Sequence, residues 1–140
     1  MSVPTENADF LVGSDAFNFI NGLGGNDIIF GKGGDDLLLG GEGDDVLVGG
    51  SGGDTLNGGN GFDTANYNDL GIAVSVDLNA GTATRKISSS ITETDHLTSI
   101  EGATGGSGDD TMTGNGGANT FQVMAGSDQL FGQGGNDKLF

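Results

Sequence analysis

Residues 31–66 read GKGGDDLLL, GGEGDDVLV, GGSGGDTLN and GGNGFDTAN, four nine-residue units in one unbroken phase. A fixed period constrains the fold more than any single residue, because every unit must take one shape and stack on its neighbours. Each unit opens with six residues rich in Gly and Asp. It closes on a triplet whose middle residue is apolar or, at Ala65, small. The sixth place holds Asp36, Asp45, Asp54 and Asp63. The phase extends back through Asp27, Asn18 and Asp9, so seven units run from Pro4 to Asn66. It lapses and returns at Gly105 with four more units, whose sixth places are Asp110, Asn119, Asp128 and Asp137.

The pattern G-G-x-G-x-D-x-U-x, with U apolar, resembles the nonapeptide of the RTX, or haemolysin-type, calcium-binding proteins. The match is close at 22–30, 31–39, 40–48, 49–57 and 132–140. The resemblance implies an all-β fold, a right-handed parallel β-roll in which two units make one coil and calcium sits between turns eighteen residues apart. Elementary chemistry agrees. Gly enters positive φ without steric cost, so a six-residue Gly-rich turn bends sharply and turns its carbonyls to one spot. Calcium takes about six to eight hard oxygens, which carbonyls and a carboxylate supply.

Stacking places Asp9, Asp27, Asp45 and Asp63 on one edge, and Asn18, Asp36 and Asp54 on the other. Asp110 stacks over Asp128, and Asn119 over Asp137. The fourth-place glycines Gly25, Gly34, Gly43, Gly52, Gly61, Gly108 and Gly135 are the expected carbonyl donors. Asn18 and Asn119 offer a neutral oxygen, so their sites are expected to be weak. About seven inter-turn sites result, of which roughly four to six are expected to fill. The fifth-place Asp35, Asp44 and Asp109 read as solvated turn residues. Several Ca2+ ions are thus the only cofactor expected, and ion binding is expected to drive folding.

The chain divides into an N-terminal repeat block, 1–66, an interruption, 67–104, and a C-terminal block, 105–140. In the interruption Ile72, Val74, Val76 and Leu78 alternate with smaller or polar residues, a half-buried strand. Asn79-Ala80-Gly81 signals a turn, and TATRKIS a returning strand. Thr94–Glu101 leads back to the repeats. This β-hairpin-like insert is expected to pack on the roll, since about 38 residues hardly stabilise a domain alone.

Thirty glycines would suit a flexible linker, but the strict period and the apolar residue of each unit argue against one. The net charge is −16, with four Lys and Arg, which excludes nucleic acid as a partner and opposes anionic membranes. No stretch is long enough to span a bilayer, so no membrane insertion is expected. There is no Cys and hence no disulfide. The N-terminal residues MSVPTENADF have neither the basic region nor the apolar run of a secretory signal. The resembled family leaves bacteria by a one-step type I exporter, which implies an extracellular location. Nothing points to an enzyme: His96 sits in a polar stretch, the G-x-G-x-x-G coincidences follow from the repeat, and neither G-x-S-x-G nor a phosphate-loop motif occurs.

The inward apolar set is Leu11, Ile20, Ile29, Leu38, Leu47, Leu56, Ala65, Met112, Phe121, Leu130 and Leu139. The flanking places, expected to face outward, also hold apolar residues in the early units, among them Phe10, Phe19, Ile28, Phe30, Leu37 and Val46. Such triplets suit strands covered on both faces. Two coverings are open: the insert, or another subunit. Head-to-tail or lateral self-association into filaments is one expectation. The other is a calcium-dependent accessory module that binds a polysaccharide or cell surface as part of a larger toxin, adhesin or enzyme.

Overall fold

The computed structural model describes residues 3–68 and 71–140; residues 1, 2, 69 and 70 of the sequence segments above lie outside it. Among the described residues there are fifteen strands and no helix. The first block gives β1 (Phe10–Val12), β2 (Phe19–Gly24), β3 (Ile28–Gly33), β4 (Leu37–Glu42), β5 (Val46–Ser51), β6 (Thr55–Asn60) and β7 (Thr64–Asn66). The insert gives β8 (Val74–Asp77), β9 (Thr82–Lys86) and β10 (Thr92–Thr98). β11 (Gly102–Thr104), β12 (Thr111–Thr113), β13 (Thr120–Gln122), β14 (Gln129–Phe131) and β15 (Lys138–Leu139) complete the chain.

Successive units alternate between two sheets. One runs β1-β3-β5-β7-β11-β13-β15 and the other β14-β12-β8-β9-β10-β6-β4-β2. Repeat strands pair in parallel at an offset of eighteen, as in Leu38 opposite Leu56 and Leu47 opposite Ala65. This is the all-β parallel roll expected of the period. Strands β2–β6 are longer than the apolar triplets: they continue through the first three residues of the next unit, pairing Leu23 with Gly41 and Lys32 with Gly50. Backbone amides and carbonyls need partners wherever they are buried, so pairing persists into the Gly-rich half of each unit.

The insert does more than pack against the roll, because its strands are spliced into one sheet. β8 and β9 form an antiparallel hairpin around Asp77, whose Oδ1 accepts the Asn79 and Ala80 amides. β9 then pairs antiparallel with β10. β10 lies parallel to β6 and β8 parallel to β12, so the hairpin bridges the two blocks. The opposite sheet passes straight from β7 to β11.

Eighth-place side chains fill the space between the sheets. Ile29, Leu38, Leu47, Leu56, Ala65, Met112 and Phe121 are fully buried, with Tyr67, Val74, Val76, Ala83, Leu97 and Ala103 joining them from the insert and its flanks. Two expected core residues depart from this. Leu130 is half-buried, and Leu139 is 43% exposed because β15 is an edge strand with a neighbour on one side only. The outer faces of the early units are unevenly covered: Phe10 and Phe19 are each 60% exposed, Phe30, Leu37, Leu39 and Val46 are half-buried, and Val48 is buried.

Candidate metal centres

Strand pairing carries each sixth-place carboxylate to the turn eighteen residues before it, where Oδ1 accepts the backbone N–H of the residue at the same place. Asp27 holds the Asp9 amide at 2.7 Å, Asp45 that of Asp27 at 2.7 Å and Asp63 that of Asp45 at 2.8 Å. On the other edge Asp36 holds Asn18, and Asp54 holds Asp36. In the second block Asp128 holds Asp110, and Asp137 holds Asn119. The structure therefore joins the expected site residues into two ladders along the roll.

The rungs continue through the interruption on residues that the repeat pattern passes over. Asp95 Oδ1 accepts the Asp54 amide at 3.0 Å, and Glu101 Oε2 accepts that of Asp63 at 2.9 Å. Asp110 Oδ1 accepts the Val74 amide. A signal was present: Asp95-His96-Leu97 and Glu101-Gly102-Ala103 repeat the acidic-x-apolar triplet of Asp54-Thr55-Leu56 without the glycines before it. The fifth-place residues are not simply solvated. Asp35, Asp44 and Asp109 each accept an amide from the next turn on their edge, at Gly53, Phe62 and Ser127, and form an outer set of bonds at the same offset.

Seven of the inner rungs spend one oxygen on the ladder and leave the other without a partner. Oδ2 of Asp27, Asp36, Asp45, Asp54, Asp63, Asp95 and Asp110 is buried and accepts no hydrogen bond. An isolated buried carboxylate is costly unless it is paired or ligates a metal. Burial accordingly raises the pKa of Asp27, Asp63, Asp95 and Asp110, that of Asp45 to about 6 and that of Asp54 to about 7; the amide bonds to the ladder oppose the rise.

Asn18 reveals what surrounds the vacant oxygen. Its Oδ1 accepts the Ser14 amide at 3.1 Å, and that donor fixes the orientation of the side-chain amide. Its Nδ2 then points into the space between its own turn and the next. There its two N–H groups share four acceptors: the second- and fourth-place carbonyls of its own turn, Ser14 and Ala16, Gly31 O, and Asp36 Oδ1 at 2.9 Å. The cage is thus walled by carbonyls of two stacked turns and by the next carboxylate. Asn18 was expected to lend an oxygen to a weak site; instead it directs N–H donors into the cage. Asn119 makes the same second-place contact through its oxygen but sends its donor elsewhere. Its Oδ1 accepts the Asn115 amide and its Nδ2 donates to Glu101 O.

Aspartate in the same place brings oxygen into a cage of oxygens. Such an arrangement demands a hard cation with several oxygen ligands, as calcium is. Backbone carbonyls must supply most of the ligands, because among the described residues no three His, Cys, Asp or Glu side chains gather as a metal site. Glycine makes the turns possible. Gly43 has φ +120°, and a Cβ there would strike the Gly25 carbonyl of the stacked turn. Gly25, Gly34, Gly52, Gly61 and Gly135 share the left-handed conformation. Gly108 does not; a side chain there would meet the backbone of Ile72 and Ala73.

The family model of the RTX calcium-binding nonapeptide repeat matches residues 5–38, 30–65 and 104–139, leaving the insert between its matches. Comparison with curated proteins finds no match. Nonapeptides in phase, parallel coils, and ladders of carboxylates facing carbonyl cages agree with that match over most of the chain: it belongs to the RTX calcium-binding repeat family, whose repeats bind several calcium ions.

Proposed function

We propose that this chain is a calcium-gated structural module, exported unfolded by a type I route and folded outside the cell. The observation that carries the reading is the row of seven buried carboxylate oxygens without partners. In a calcium-poor cytosol the ladders repel one another, and the net charge of −16 favours an expanded chain. Outside, near-millimolar calcium fills the cages, and binding energy becomes folding energy. The role is structural rather than catalytic: His96 is exposed, and the buried acidic groups are committed to the ladders.

Self-association is the finer part of the proposal. Phe10, Phe17 and Phe19 are exposed, and Phe19 lines an apolar cavity of about 300 Å³ together with Pro4, Leu11, Val12, Ile20 and Leu23. Phe131, Leu139 and Phe140 are exposed at the opposite end of the sheets. Contiguous apolar surface of this kind marks an interaction site. The test is a calcium titration from an EDTA-treated sample, followed by circular dichroism and light scattering. β signal and particle mass rising together support calcium-triggered assembly. β signal at the mass of one chain removes self-assembly and favours the accessory module, whose apolar faces meet a different partner. No β signal at millimolar calcium overturns calcium-gated folding itself.

A further inference from the structure

Arg85 is the largest fully buried side chain among the described residues, 1% exposed, and it enters a repeat turn from outside the repeat. Its Nη1 donates to Gly50 O at 2.7 Å and its Nη2 to Gly52 O at 2.8 Å. Nη2 also lies 3.3 Å from Asp95 Oδ1 and 3.4 Å from Glu93 Oε2. The guanidinium carbon stands 5.5 Å from the centre of the Tyr67 ring.

Gly50 and Gly52 occupy the second and fourth places of their unit, and Asp95 is the next rung on that edge. The Asn18 amide meets the same three kinds of oxygen in its own cage: second-place carbonyl, fourth-place carbonyl and next-rung Oδ1. Arg85 therefore has its donors in the same cage, one coil pair further along. The topology explains the need. The turn at 49–54 has no nonapeptide turn stacked on its far side, where β10 and β9 follow β6 in the sheet, so a strand rather than a Gly-rich turn faces it there. A charged planar fork is suited to bridging two carbonyls and a carboxylate when buried.

We propose that Arg85 is a built-in cation that occupies the calcium position between the turn at 49–54 and Asp95, so that this junction closes without an ion. The proposal rests on the reading that the other cages take calcium. It implies that the binding stoichiometry falls below the number of stacked turns at a defined place, and that the junction between repeat and insert closes without waiting for calcium.

The test measures bound calcium per chain by equilibrium dialysis with elemental analysis, alongside the calcium midpoint of the β signal. Arg85→Gln is expected to bind one more ion than the unaltered chain and to fold at a higher calcium midpoint. Arg85→Lys, which keeps a charge, is expected to retain the original stoichiometry. Asn18→Asp is the control for the cage assignment and is expected to gain one ion, because oxygen replaces its donor. A folded Arg85→Gln chain with unchanged stoichiometry overturns the proposal, while a gain in Asn18→Asp shows that the calcium reading still holds. No calcium bound by the unaltered chain removes that reading instead. A long-wavelength anomalous map of the calcium-loaded unaltered protein decides the matter even if Arg85→Gln does not fold. Ion density between Gly50 O, Gly52 O and Asp95 overturns the proposal, and its absence there with density in neighbouring cages supports it.

Discussion

Asp45 illustrates the division of labour within one rung: Oδ1 holds the Asp27 amide and Oδ2 faces the cage. Asp45→Ala strands that amide, and an unsatisfied buried donor costs ~1–3 kcal/mol. The variant is expected to lose one calcium and that much stability in urea unfolding of the loaded protein. Asp45→Asn should lose the ion but less stability, because a side-chain amide can donate into the cage as that of Asn18 does. Acidity acts on the same atoms. Carboxyls whose pKa is raised hold protons more tightly folded than unfolded, so without calcium the fold gains stability as pH falls from about 7 towards the ordinary value of 3.8, and loses it as pH rises. Ion-free protein is expected to gain β circular dichroism on acidification through this window. With calcium the trend reverses, since protons and ion compete for Oδ2; a flat ion-free profile would refute the assignment. Gly43→Ala sets a left-handed residue against the Gly25 carbonyl and is expected to cost ~1–3 kcal/mol by the same urea assay. Gly116→Ala is the matched control, since nothing lies within 4 Å of a Cβ there.

At the scale of elements, the insert is part of the sheet, and its stability should be inseparable from that of the coils. Leu97 is buried opposite Leu56. Leu97→Ala is expected to cost ~2–5 kcal/mol and to shift the transition of the whole roll. Tyr67, the only tyrosine and the chain's only tyrosine or tryptophan fluorophore, is buried at the junction. Its fluorescence and the β circular dichroism of calcium-loaded protein are therefore expected to change together in urea. Separate transitions would show an independent insert. The strands around Tyr67 were only partly legible in the sequence. Alternation at Val74, Val76 and Leu78 and the Asn79-Ala80-Gly81 turn announced a hairpin, but register along a sheet is a long-range choice that local alternation does not encode. The repeat carried its own register, which is why Asp27, Asp45 and Asp63 could be stacked from spacing alone. Asp95 and Glu101 escaped because the Gly-rich turn that marks the other rungs is missing before them. Arg85 escaped because its partners lie 33 and 35 residues away, in a turn with no sequence link to it.

Taken as a whole molecule, the roll is an acidic body whose cohesion between coils comes largely from cages and thin core layers. Removing calcium is expected to release it as a cooperative unit. Small-angle scattering should then move from a value somewhat above the roughly 14 Å radius of gyration of a compact domain of this length towards the roughly 39 Å of an unfolded chain. Sodium chloride alone screens repulsion without filling cages, and should contract the expanded chain without restoring β signal. The outer bonds from Asp35, Asp44 and Asp109 carry a different consequence. Within each repeat block they and the inner ladder both reach across eighteen residues, so a repeat turn recognises the turn one coil away. Length is therefore quantised in whole coils. A gene segment encoding residues 37–54 could be lost or duplicated with every later rung still finding an equivalent partner. A loss of nine residues would send each following strand to the opposite sheet and leave the hairpin without β6 to join. Growth and shrinkage of such a protein over generations would proceed in steps of one coil, with the hairpin fixing which sheet comes next.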